Sequence, residues 1–220
     1  MGINSSSTGT IIMANNTLGG LTVKGATAGT ACALHSINIS GVATSITITG
    51  NTVGNATANN MRAGELGVTT ANTLVTGLNA VSIPVAGVYA GNTIQNLLAA
   101  GAATGSYVRG IQTGTTASTT STFTVDGNTI RFLSTPSTLA GIGSGQCAAL
   151  GIQFLTGTNS TVSNNTIHDI HLLGTPTTNV IAAGITHGSA TNTVIANNII
   201  YNITNAGVGT SATTPPMVAG

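Results

Sequence analysis

Charge is what this chain has least of. Of its 220 residues only four are Lys or Arg and three are Asp or Glu, 3% in all, against roughly 25% in ordinary globular domains. So few cations could not neutralise a run of phosphates, which excludes nucleic acid as a partner. A net charge of +1 offers little repulsion between copies and favours self-association. Aromatic rings are scarce as well: three Tyr, three Phe and no Trp. No stretch approaches the roughly 20 apolar residues needed to cross a membrane. No cleavable leader pattern precedes the first repeat, which points to a domain taken from a longer precursor. Low charge combined with abundant β-branched residues is the opposite of a disordered composition. By length the chain reads as one domain, 1–220.

Cysteine is nearly absent too. Cys32 lies 19 residues before Asn51 and Cys147 lies 18 before Asn165, almost the same phase of the repeat described next, three repeats apart. At roughly 4.8 Å per stacked strand that is about 14 Å, whereas a disulfide needs Cα atoms within about 7 Å. Two free, inward-facing thiols are expected.

What the chain does have is a phrase repeated six times: a hydrophobic residue, a variable one, Asn or Gly, then Asn, usually Thr, then a β-branched residue or Leu. It reads Met13-Ala14-Asn15-Asn16-Thr17-Leu18, Ile48-Thr49-Gly50-Asn51-Thr52-Val53 and Tyr89-Ala90-Gly91-Asn92-Thr93-Ile94. It returns as Val125-Asp126-Gly127-Asn128-Thr129-Ile130, Val162-Ser163-Asn164-Asn165-Thr166-Ile167 and Ile195-Ala196-Asn197-Asn198-Ile199-Ile200. The key Asn residues are 35, 41, 36, 37 and 33 positions apart, the spacing of a solenoid or propeller. The residue before the key Asn is only ever Asn or Gly, the two types that best tolerate positive φ, so each repeat should turn a left-handed corner there. The key residues Asn16, Asn51, Asn92, Asn128, Asn165 and Asn198 should stack as a buried amide ladder, each satisfying its neighbour. After the corner, Thr17, Thr52, Thr93, Thr129 and Thr166 should face outward. Leu18, Val53, Ile94, Ile130, Ile167 and Ile200 should face inward, followed by Leu21, Ala56, Leu97, Leu133, Ile170 and Ile203. That is strand alternation.

Upstream, Gly precedes Ile at Gly2-Ile3, Gly110-Ile111, Gly151-Ile152 and Gly184-Ile185. The second and third repeats look degenerate at this landmark, and the fourth carries a longer loop. Thr135-Pro136, Thr175-Pro176 and Pro215-Pro216 mark a loop of varying length after the strand. One coil of about 36 residues with two or three short strands is a parallel β-helix. Propeller blades of this length would carry a Trp-Asp-type phrase, leucine-rich repeats a denser Leu pattern, and left-handed β-helices strict hexapeptides. The Asn/Gly-Asn-Thr-Ile phrases and Gly-Ile landmarks, running from Gly2 to Ile203, resemble the right-handed parallel β-helix repeats of the pectin-lyase-like superfamily. The secreted bacterial surface proteins of that kind are the nearest in character. The expected fold is therefore all-β, a right-handed solenoid of about six coils with an Asn ladder.

Relatives with that fold that are enzymes use clustered Asp, or calcium carboxylates with an Arg or Lys base. Here the acids are Glu65, Asp126 and Asp169 alone. Asp126 stands two before its corner and Asp169 four after, which aims them to different sides. No carboxylate pair or calcium cage is expected, hence no enzyme, no cofactor and no metal. The best polar cluster is His168-Asp169 with His171. In register, Arg131 lies below His168 and Tyr201 above it, while Asp169 stacks between Phe132 and Asn202. This strip of Arg131, His168, Asp169 and Tyr201 is a candidate ligand site for a sugar, set against the reading that any polar residue is tolerated on an exposed strip. Two His from one strand without a second carboxylate make a poor metal set. Arg109, Lys24 and Arg62 read as solvated surface charges. The outward Thr column resembles ice-binding arrays, but it is a single column broken at Ile199, beside a mixed one of Ile12, Thr47, Val88, Thr124, Thr161 and Val194.

Gly220 falls in the phase of Gly2, so the chain spans a near-whole number of coils with no capping helix or charged blocking strand. Uncapped strand edges recruit other edges. The expectation is an extracellular or cell-surface structural module, a fibre subunit or adhesin stalk. Its partner would be itself, head to tail, or the adjoining coils of a longer chain. A carbohydrate-binding module contacting surface glycans is the alternative.

Overall fold

The computed structural model describes residues 1–24, 31–80, 86–113, 121–138, 147–174, 181–206 and 218–219. The Thr175-Pro176 and Pro215-Pro216 loops, the longer loop after Gly110-Ile111 and Gly220 lie outside them. The described residues build an all-β parallel solenoid with three sheets. The first sheet stacks Ile3–Ser5, Cys32–Ile39, Thr73–Ala80, Tyr107–Thr113, Ala149–Thr158, Ala182–Thr191 and Val218–Ala219. The second stacks Thr10–Ala14, Ser45–Thr49, Ala86–Ala90, Thr122–Asp126, Thr161–Ser163 and Val194–Ala196. The third stacks Thr17–Leu18, Thr52–Val53, Thr93–Ala99, Thr129–Thr135, Thr166–Leu172 and Ile199–Asn205, with Leu21–Val23 and Met61–Ala63 continuing the two shortest strands. The six corners are separated by five rises, so there are about five full turns where six coils were expected. The remainder is a partial turn at each end.

The repeated phrase does what its chemistry requires. Asn15, Gly50, Gly91, Gly127, Asn164 and Asn197 all have φ between 56° and 64°. At each corner the chain leaves the second sheet and enters the third, which aims the next Asn into the interior. The Nδ2 of each of the first five key Asn residues donates to the Oδ1 of the Asn one turn on, at 2.9 to 3.0 Å throughout. The backbone N–H donates to that same Oδ1 at 2.9 to 3.0 Å. The second amide hydrogen of Asn128 reaches Tyr89 O of the preceding turn at 2.8 Å, and the other Asn residues above the first rung do likewise. Asn51, Asn92, Asn128 and Asn165 are at most 1% exposed, yet each amide is bonded at both ends. That is the condition for burying it without penalty.

The core is a set of stacked columns. Val53, Ile94, Ile130 and Ile167 are fully buried in register, as are Ile37, Leu78, Ile111 and Ile152 facing them. The inner rings stack too: Phe123 lies 6.5 Å from Tyr89 and 5.4 Å, edge-on, from Phe154. The Tyr89 hydroxyl accepts from Thr113 Oγ1, and burial holds its pKa well above the ordinary phenol value.

The Gly-Ile landmark proves continuous. Register places Ser36-Ile37 and Gly77-Leu78 in the coils that read as degenerate. Glycine is needed there for closeness. A Cβ on Gly110 would stand 2.6 Å from Gly151 O and 2.6 Å from Ile130 Cγ2, and Gly77, Gly151 and Gly184 meet Ile94, Ile167 and Ile200 in the same way. The one coil with Ser in this place has Val53 where the others have Ile or Leu, a smaller residue opposite a larger one.

Two inward assignments change. Ala56 is exposed; six residues, 55–60, bulge outward after Gly54, and Met61 takes the core column instead, paired with Leu21 and Leu97 and fully buried. The cysteines are both free. Cys32 packs half-buried on the main core, whereas Cys147 belongs to a satellite cluster with Leu150, Ile181 and Ala183. Burial raises the Cys147 thiol to about 11.

Candidate functional site

The third sheet is bent in a way the alternation rule did not foresee. Four residues beyond the key Asn, a second left-handed residue occurs: Gly20, Asn96, Phe132, Asp169 and Asn202, with φ between 52° and 69°. The strand pairing skips these positions and resumes one residue later. The bend puts two successive side chains on the exterior between two inward ones. Arg131 and Phe132 therefore both face out between the buried Ile130 and Leu133, and His168 and Asp169 sit likewise between Ile167 and Ile170.

This doubled exterior strip gathers the residues expected as a ligand site. Arg131 pairs with His168 and His168 with Tyr201 along the sheet. The His168 ring lies flat on Tyr201, centroids 4.7 Å apart and planes 4° apart. Phe132 meets His168 edge-on at 5.8 Å. His168 Nδ1 and Asp169 Oδ2 are 2.6 Å apart, and Asp169 Oδ1 accepts from Asn202 Nδ2. His171 Nε2 is 3.9 Å from Asp169 Oδ1, and its Nδ1 is 2.7 Å from Thr204 Oγ1. Arg131 turns away from His168: its Nε donates to Gln95 Oε1 at 2.9 Å, and its guanidinium lies 5.5 Å from the Phe132 ring. His168 is only 9% exposed, covered by its aromatic neighbours, while Phe132 and Tyr201 are 42% and 51% exposed. Phe132 in a left-handed conformation is an outlier for a bulky side chain, the kind of strain that gathers at functional positions.

The other charged residues do different work. Asp126 Oδ1 accepts from Ser163 Oγ (2.7 Å) and Asn164 Nδ2 (2.8 Å), tying one corner to the next. Lys24 and Glu65 form an exposed pair at 3.8 Å, and Arg62 Nε donates to Gly64 O. Arg109 corrects the expectation of a solvated charge: it is 5% exposed. Its guanidinium lies 3.7 Å over the Tyr107 ring, its Nη1 donates to Gln112 Oε1, and burial pulls its pKa below the ordinary value. The outer side of the first sheet is thus sheltered. It also holds an amide row that the sequence reading missed, in which Asn79 donates to Asn38 and Asn38 to Asn4, each at 2.7 Å. Spacing could have revealed it, since Asn4, Asn38, Asn79, Gln112 and Gln153 each follow the landmark Ile or Leu. His35, in the same sheltered region, has its pKa lowered, first by burial and then by the N-terminal charge and Arg109.

Among the described residues no three His, Cys, Asp or Glu side chains converge as a metal site, and no helix is long and apolar enough to cross a membrane. Among the described residues two open hollows lie at the ends of the rod. One is lined by Gly2, Ile3, Asn16, Leu18 and Leu21, the other by Ile195, Asn197, Asn198 and Ile200. No protein-family model, no curated protein and no solved structure matches this chain, so its kinship is stated at the level of architecture: it is a parallel β-solenoid protein.

Proposed function

We propose that this chain is a non-enzymatic structural module whose coils continue end to end into a longer rod, as an extracellular fibre subunit or a cell-surface stalk of the adhesin kind. The observation that carries this reading is the state of the last rung. Ile195 is 45% exposed, whereas Met13, Ile48, Tyr89, Val125 and Val162 in the same column are at most 9% exposed. A core column that is buried on every rung but the last is a surface made to receive another rung, and exposed edges of this length recruit one. The near-neutral surface supports close approach, and both carboxylates that sit among the coils are occupied by structural bonds. The resemblance of the repeated phrases to the right-handed, pectin-lyase-like repeats of secreted bacterial surface proteins supports this reading. Electron microscopy of the native protein tests the proposal. Thin continuous fibres with an axial repeat of about 29 Å, six rungs of about 4.8 Å, are expected. Short discrete rods at high concentration would sink it.

A second reading has one specific observation in its favour. Of the six aromatic side chains, three stack inside the core, and the two most exposed, Phe132 and Tyr201, flank His168 on the same strip. Open rings beside Arg131, Asp169 and Asn202 suit a sugar, which stacks on rings and bonds to polar neighbours. Binding on a glycan array that disappears with Tyr201→Ala would support it; binding unaffected by that change would remove the strip from consideration.

A further inference from the structure

We propose that the outer face of the second sheet is a lateral docking surface for a second copy of this chain, so that two rods lie side by side with these faces in contact. The contact is separate from end-to-end continuation and does not depend on it.

The outer faces of the three sheets differ. On the first sheet Asn79, Arg109 and Gln112 are buried although they lie outside the core. The third is broken by left-handed residues and by the bulge at 55–60. The second is neither covered nor broken. No residue in its six strands has positive φ, and strands such as Thr10–Ala14, Ser45–Thr49 and Thr122–Asp126 alternate strictly between buried and accessible positions. Its outward residues are all exposed or half-buried. Parallel register runs through all six strands and stacks those residues in straight columns, the central one being Ile12, Thr47, Val88, Thr124, Thr161 and Val194.

The chemistry of the face suits close contact. Its outward side chains are Ala, Ser, Thr, Val and Ile with one Asp, and no Lys, Arg or His stands among them. The Asp126 carboxylate is already engaged by Ser163 Oγ and Asn164 Nδ2. Little charge therefore has to be desolvated. Short and β-branched side chains also lose little rotamer freedom when covered. Ile12 and Val194 are 69% and 54% exposed, and with the Thr methyl groups they form the kind of apolar patch that marks an interaction site.

The same features select the occupant. A charged partner finds no counter-charge here, and a small ligand finds no concavity on a flat sheet. What fits is a second flat, neutral sheet, packed face to face about 10 Å away. The chain's own face is one, and a two-fold contact sets its rows of methyl and hydroxyl groups against rows of the same make. Up to five residues of about 3.3 Å across six strands of about 4.8 Å give a flat outline of roughly 480 Å² per copy. The relief of the side chains adds to this, and a standard interface covers about 800 Å² of accessible surface per partner. One pair of chains thus makes a weak dimer, and the contact grows in proportion along any longer rod.

Thr124 is exposed near the middle of the face, so Thr124→Lys is compared with the parent by sedimentation velocity at rising concentration. The parent is expected to form a reversible dimer, and Thr124→Lys to weaken it by at least about tenfold. Thr124→Val, apolar and similar in shape, should keep it. Thr57→Lys makes the same change of charge on the exposed bulge of the third sheet and should also keep it. Circular dichroism matching the parent checks that the variants fold. Stoichiometry separates this contact from end-to-end stacking, since two like faces close at two whereas stacking grows without closing. In fibres the comparison reads as paired filaments from the parent and single ones from Thr124→Lys. Pairing that survives Thr124→Lys, or a growing series of masses with no step that this change removes, would overturn the docking face and leave end-to-end stacking standing. A parent monomeric at every concentration would overturn both, and thermal hysteresis from such a monomer, lost in Thr124→Lys, would assign the face to ice instead.

Discussion

Five of the six coils turn through a left-handed residue both at the corner and again four positions past the key Asn, and the two turns have opposite consequences. At the first, the residue after the turn points inward and is Asn in all six copies. At the second, four positions past that Asn, the turn points outward and accepts Gly20, Asn96, Phe132, Asp169 or Asn202, of which Asn96 alone is covered, by the neighbouring coil. The backbone demand is the same; what differs is the medium the side chains enter. An amide entering the core must have its donor and its acceptor met at once, and only another Asn in the same place does so at every rung. A side chain entering water is under no such demand. The first turn therefore holds the rod together, and the second is where the rod can acquire recognition, at the modest local cost that Phe132 illustrates.

The largest effect that could break this contrast is expected at Asn128. Asn128→Ala strands the N–H and Nδ2 of Asn92 and the carbonyl of Tyr89, and should cost about 1–3 kcal/mol by denaturant unfolding. A variant that unfolds like the parent would show that the inner turn is no more constrained than the outer one. Gly110→Ser comes next. Its Cβ must displace Gly151 O or Ile130 Cγ2, an overpacking loss of about 1–3 kcal/mol, and Ile130→Val should restore part of it by recreating the Ser36 and Val53 combination. If Ile130→Val deepens the loss, closeness is not the reason for glycine there.

The sheltered outer side of the first sheet sharpens the contrast through pH. The folded-state pKa of His35 lies below its ordinary 6.5, so the folded protein holds fewer protons than the unfolded chain as pH falls from 6.5. Stability should be present in full above pH 6.5 and decline as the pH falls through the folded value. Melting temperatures across pH 4–7 measure this, and His35→Gln should flatten the decline. The smallest effect belongs to the outer turn. Phe132→Asn replaces a bulky left-handed residue with one that tolerates the conformation and should leave stability within about 0.5 kcal/mol of the parent, with the loss of ring contact and the relief of strain offsetting each other. A drop comparable with that of Asn128→Ala would mean that the exterior ring stack is structural.

The inner turn was legible because two demands coincide there, positive φ and a satisfied buried amide, and together they leave almost no choice of residue. The outer turn was not, because Phe132 and Asp169 announce no left-handed backbone. The same holds for Ala56: counting three residues on from an inward Val assumes an uninterrupted strand, and an outward bulge of six residues keeps the alternation hidden until Met61 is seen beside Leu97. Ser36 and Gly77 escaped notice as landmarks because the requirement is room beneath Val53 or Ile94, a property of the facing strand. Of the candidate strip, the order Arg131, His168, Tyr201 followed from register alone. The flat stacking of His168 on Tyr201 and the turn of Arg131 towards Gln95 did not.

By itself, then, the sequence determined the repeat, the stacking direction, the inner corner and the amide ladder, since each follows from local backbone preference or from an identical residue returning in phase. Tertiary structure alone decided which outward residues stay dry, as with Arg109 over Tyr107, and how the exterior side chains group. Burial and contact are properties of neighbouring coils some 33 to 41 residues away, and nothing in a residue's own stretch of chain records them.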